Sequence, residues 1–184
     1  MDLKNEIING KGYAIVEIPN LQKFQDLRNA FLRKMNLSEQ QGIEELRKKL
    51  TKMKKHEINK VMLGLLSFKE ASEIMIDSCS DIVNELCGNQ LLIQRRANTI
   101  FNLPGEDQRR QWPHYELMSG ISPFTFVLWA PFHNLDDDGG VYYVPQDNSF
   151  ETIKLEHSQG LVNGPTILNK INNYKPAKLK FGEV

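Results

Sequence analysis

The hydrophobic period of this chain shifts at Gly88, and that shift restricts the fold to a mainly helical first half and a strand-rich second half. Before Gly88 the apolar residues recur at helical spacing. Gly12 to Ile18 (GYAIVEI) is a short β-branched and aromatic run that predicts an initial strand ended by Pro19. Asn20 then caps a predicted helix whose apolar positions are Leu21, Phe24, Leu27, Phe31 and Met35. Ser38-x-x-Gln41 has the pattern of a capping box ahead of Ile43, Leu46, Leu50 and Met53. Ser67-x-x-Glu70 repeats that signal before Ala71, Ile74, Met75, Ile82, Val83 and Leu86, a helix that Gly88 stops.

After Gly88 the signals are those of strands. Leu91 to Leu103 is long enough for one extended strand, closed by the Pro104-Gly105 turn. Phe124 to Trp129 (FTFVLW) and Val141 to Val144 (VYYV) predict two more, and Lys178 to Val184 predicts the start of another. Asp136 to Gly139 predicts a turn, and Ser158 to Asn173, rich in Gly and Asn, a surface loop. The expected architecture is α+β, with helices packed on one side of a strand-rich barrel or sandwich. Residues 1–184 form one expected domain, with 1–88 mainly helical and 89–184 strand-rich.

Composition removes some function classes. Lys+Arg and Asp+Glu are both 23, so zero net charge gives no general attraction to nucleic acid or an anionic membrane. No apolar run reaches the ~20 residues of a membrane span, and Met1 to Asn9 is too polar for a signal peptide. Cys79 and Cys87 are eight residues apart on a predicted helix, roughly 12 Å, too far for a disulfide. Buried, reduced thiols in a cytoplasmic protein are expected.

The chemistry-bearing feature is His114-x-Glu116 in the run Gln111 to Glu116 (QWPHYE). On an extended strand residues i and i+2 share a face, so imidazole and carboxylate converge. Nitrogen plus carboxylate oxygen suits a divalent first-row metal, and a second histidine would complete a facial triad for non-haem Fe(II). His133 follows Trp129-x-Pro131 and is expected at a strand exit, facing solvent. His157 lies in a long segment before the predicted loop, and His56 sits among Lys52, Lys54, Lys55 and Lys60 on an expected solvated helix face. Gln94, Arg96 and Asn98 alternate onto one face of their predicted strand. That face either lines a ligand cavity or is the polar outer side of an edge strand.

These runs, taken in order, resemble the phytanoyl-CoA dioxygenase-type Fe(II)/2-oxoglutarate oxygenases, nearest to the sporadic group found in carbohydrate-biosynthesis clusters. Gln94 to Pro104 resembles the strand and proline turn before the metal motif, and Trp112 to Glu116 takes the place of its His-x-Asp/Glu. Phe124 to Pro131 resembles the following strand with its Trp-x-Pro ending. Gly139 to Ser149 is similar to the Asn-Gly…Pro-Gly-Ser element. Phe181 to Val184 (FGEV) resembles the start of the strand that delivers the distal histidine.

The resemblance implies a double-stranded β-helix (jelly-roll) core, Fe(II), 2-oxoglutarate as co-substrate and molecular oxygen as oxidant. It implies hydroxylation of a small polar metabolite such as a sugar derivative. His114 and Glu116 become the metal ligands, Gln94 and Asn98 the candidates for 2-oxoglutarate, and Arg96 the candidate for the substrate. Glutamate in place of the more frequent aspartate is a departure. In the family a third ligand and a 2-oxoglutarate arginine follow the FGEV-type strand, so both are expected beyond Val184, in a longer reading frame. Jelly-roll enzymes often pair, so a homodimer is the expected assembly. A non-catalytic jelly-roll binding module without a complete iron site is the alternative from another class. A cupin-type enzyme using His157 is the third.

Overall fold

The helical half begins with a short turn, α1 (Leu3–Asn5), that runs into a π-helical turn over Glu6–Gly10. It continues through α2 (Leu21–Lys34), α3 (Gly42–Lys52), α4 (Lys55–Leu66), α5 (Glu70–Ser78) and α6 (Ser80–Cys87). This computed structural model describes residues 2–66, 68, 70–88, 90–95, 97–101, 125–135, 141–143 and 175–184, with the backbone alone at 55 and 62–66.

Local chemistry sets the helix ends. The Asn20 side chain accepts from the Lys23 N–H at 3.1 Å and caps α2, satisfying one of the N–H groups that a helix start leaves orphaned. Asn20→Ala is therefore expected to cost about 1 kcal/mol. A urea titration checks it through a lower midpoint at unchanged slope. The capping box also forms: Gln41 Oε1 accepts from the Ser38 N–H at 2.7 Å, and the Gln41 N–H donates to Ser38 Oγ at 3.4 Å. Gly88 ends α6 at φ +75°, a left-handed conformation that glycine takes without a Cβ penalty.

The expected single helix ending at Gly88 is instead two. Ser78 gives its carbonyl to the Asn20 N–H at 3.0 Å, and its hydroxyl donates back to the Ile74 carbonyl at 2.7 Å. The carbonyl is thereby taken out of the helical ladder, α5 stops, and α6 restarts after Cys79. Sequence periodicity cannot register a bond formed with a residue 58 positions away.

The run 175–184 is the spine of the extended layer. β1 (Tyr142–Tyr143) and β2 (Lys175–Pro176) pair antiparallel, with Tyr142 opposite Pro176 and Tyr143 opposite Lys175. The expected strand at Val141 to Val144 is thus two residues long among those described, and its partner begins upstream of Lys178. Further along the spine, Leu135 N–H donates to the Leu179 carbonyl at 2.8 Å, and Phe181 N–H to Asn134 Oδ1 at 2.8 Å. The initial run closes the layer: Glu17 bridges Glu183, with Val16 N–H to the Val184 carbonyl at 3.0 Å and Ile18 N–H to the Gly182 carbonyl at 2.8 Å. Gly182, at φ +93°, makes the turn that permits this pairing. A Cβ there would stand 3.1 Å from Leu21 Cδ1, which explains why Leu21, predicted for the buried stripe, lies over the turn and stays 43% exposed.

Burial alternates along parts of three extended runs. Ala14, Val16 and Ile18 face the core while Ile15 and Glu17 are exposed. Phe126, Leu128, Ala130 and Phe132 pack inward and Val127 points out. Ala177 and Leu179 are buried between exposed Lys178 and Lys180. Residues 125–129 nonetheless join no strand ladder, and neither do 90–95 and 97–101. The sequence predicted strands for both. Burial fixes which face a residue presents; a ladder also needs a neighbouring backbone in register.

Two apolar clusters meet at Phe132. The first joins α2 and α6 to the extended runs through Phe24, Leu27, Ile82, Val83, Leu86 and Val184. The second holds α2 against α3 through Phe31, Leu32, Met35, Ile43, Leu46 and Leu50. Arg28 ties the layers where they join. Its Nε donates to the Phe132 carbonyl at 3.1 Å, and its guanidinium lies 5.2 Å from the Phe181 ring centroid. The chain is therefore a mixed α and β protein with helices packed on an extended layer. Among the described residues no helix is long and apolar enough to cross a membrane.

Candidate functional site

His114, Glu116 and Arg96 lie outside the described residues, as do Tyr115, His157, the Pro104-Gly105 and Asp136 to Gly139 turns, and the predicted loop 158–173. Gln94 and Asn98 are described, and both are exposed. Gln94 Nε2 donates to Asn98 Oδ1 at 3.4 Å. Both take the exposed setting that the sequence left open beside a cavity-lining one. They behave as the polar outer side of an extended run.

His133 is exposed as expected, with Nδ1 2.7 Å from the Asn134 carbonyl oxygen, a contact that selects the tautomer with a proton on Nδ1. His56 is likewise exposed. Trp129 is half-buried at the extended layer. Among the described residues no group of three or more His, Cys, Asp and Glu side chains could hold a metal ion.

The residues that sequence reasoning missed are the neighbours of those it chose. Ile93 and Arg95 line an open cavity of about 330 Å³ together with Ser72 and Glu73 of α5. Residues i and i+2 of an extended run share a face, so 93 and 95 present the opposite face from 94. The available signal was the mixture of an apolar residue and a cation in 93–95, facing a serine in an otherwise apolar helix stripe.

Tyr13 and Tyr143 join the first run to β1. Their hydroxyls are 2.7 Å apart and their ring centroids 4.2 Å. Burial, then the hydrogen bond with Tyr143, raises Tyr13 from 10.0 to about 12. Cys79 is fully buried, and burial pushes its thiol from 9.0 to about 11. Cys87 is exposed, against the expectation that both thiols are buried, because it ends α6 on the outer side, and both cysteines are free.

A thiol reagent at pH 8 is accordingly expected to label Cys87 in the native protein and Cys79 only after unfolding, read by mass spectrometry. Because the folded-state values are raised, Cys79 contributes stability that is complete below pH 9 and lost as pH rises through about 11. The loss is expected at up to about 1.4 kcal/mol per pH unit, with Cys79→Ala flattening the slope of urea midpoint against pH.

Comparison with protein-family models, curated proteins and solved structures finds no match to this chain.

Proposed function

We propose that this chain is a phytanoyl-CoA dioxygenase-type Fe(II)/2-oxoglutarate oxygenase with a jelly-roll core, hydroxylating a small polar metabolite such as a sugar derivative in the cytoplasm. The observation that carries the reading is the shared inward face of two family-like elements. Phe126, Leu128 and Ala130 of the FTFVLWAP run and Phe181 and Val184 of the FGEV run pack on one core. In this reading His114-x-Glu116 precedes those elements in the order that the family uses.

The donor set fits the metal. His114 would offer an imidazole nitrogen and Glu116 a carboxylate oxygen, a combination suited to Fe(II). Bound iron with 2-oxoglutarate supplies the power to oxidise an unactivated C–H bond. The chain's own part is to hold the two side chains on a rigid support and to exclude water behind an apolar layer.

Uncoupled turnover tests the proposal. With Fe(II), ascorbate and air, the protein is expected to convert 2-oxoglutarate to succinate faster than iron alone, and Glu116→Ala to remove the excess. Succinate formation at the iron-only rate would falsify the reading, as would an excess untouched by Glu116→Ala. A saturable ligand without turnover would instead favour a binding module.

A further inference from the structure

We propose that the cavity between α5 and the run 91–95 binds a small amino acid, its carboxylate on Arg95 and its ammonium on Glu73. Three observations carry this. Ser72 is 8% exposed, and its hydroxyl is a buried side-chain polar atom with no hydrogen-bond partner. A helical serine ordinarily returns its proton to the carbonyl four residues back, as Ser78 does to Ile74. Ser72 does not, although leaving such a group unsatisfied is unfavourable. Ser72 is on the cavity wall, and in the proposal a change of χ1 turns its hydroxyl to the ligand.

The second observation is charge. Glu73 and Arg95 line the same cavity yet take no part in the ion pairs among the described residues. One anion and one cation that line a cavity without pairing complement a molecule that carries both charges. A guanidinium matches a carboxylate with two parallel N–H donors. A lone anion would meet repulsion from Glu73, and a lone cation repulsion from Arg95.

The third is size and lining. About 330 Å³ is at the small end of the ~300–1,000 Å³ range of ligand sites, and Ile93 supplies an apolar wall for a short methylene chain. The inference is independent of the iron reading, because none of these residues belongs to the proposed metal site.

The test is an NMR titration of the full chain without iron, using glycine, β-alanine and 4-aminobutyrate to vary the charge separation. Acetate and methylammonium serve as single-charge controls. At least one zwitterion is expected to shift the amides of Ser72, Glu73 and Arg95 saturably below about 10 mM. Glu73→Gln and Arg95→Gln should each weaken it about tenfold, and Ser72→Ala about threefold. Both charged side chains are exposed, so an unchanged urea midpoint confirms that those variants fold. The proposal is overturned if no zwitterion saturates, if acetate binds as tightly, or if either charge variant binds like the wild type.

Discussion

Phe24→Ala is expected to lower unfolding free energy by about 3–5 kcal/mol, a large part of the ~5–15 kcal/mol that holds a domain of this size folded. Phe24 is 1% exposed on α2. Its ring lies 5.6 Å from that of Phe132 and 5.4 Å from that of Phe181, so it touches both extended runs that the helices cover. Truncation removes the apolar burial and two ring contacts, each worth ~0.5–1.5 kcal/mol beyond area. It also leaves a cavity between α2 and the two extended runs. Phe24→Leu keeps most of the volume and is expected to cost much less. Ile15→Ala, at a side chain 39% exposed, is the matched control with a small effect. Equilibrium urea unfolding followed by circular dichroism measures all three. A loss below about 1 kcal/mol for Phe24→Ala would mean that the two layers do not share this core.

Local features carried much of this architecture in the sequence. The Asn20 cap, the Ser38–Gln41 box and the Gly88 stop each involve groups a few residues apart, and all three form. The inward faces at 14, 16 and 18 and at 126, 128, 130 and 132 are set by packing instead, because both runs are apolar at nearly every position. What the sequence hides is non-local. The break at Cys79 depends on the Asn20–Ser78 bond, and the pairing of Glu17 with Glu183 depends on the turn at Gly182.

The candidate site divides along the same line. Gln94 and Asn98 were visible as a polar alternation, but which face a covering helix approaches is not written in the run itself. α5 approaches the face of Ile93 and Arg95. Pattern marks His114 and Glu116 as a candidate donor pair; it does not reveal which distant elements would complete a metal site.

The second large effect is expected at His114. Disturbing residues that merely orient a metal ligand costs 10–100-fold in metal affinity in characterised sites, so removing a ligand outright is expected to cost at least about 100-fold. His114→Ala should therefore abolish Fe(II) binding at micromolar metal. In the oxygenase reading it should leave the unfolding free energy within about 1 kcal/mol of wild type. Loss of metal with retained stability separates a ligand from a packing residue.

The most direct measurement is an anaerobic titration of the protein with Fe(II) in the presence of 2-oxoglutarate, followed by visible absorbance. The expected result is a weak charge-transfer band that saturates at one iron per chain and vanishes in His114→Ala. No band above that of iron and 2-oxoglutarate alone, or a band unchanged by His114→Ala, would contradict the oxygenase reading.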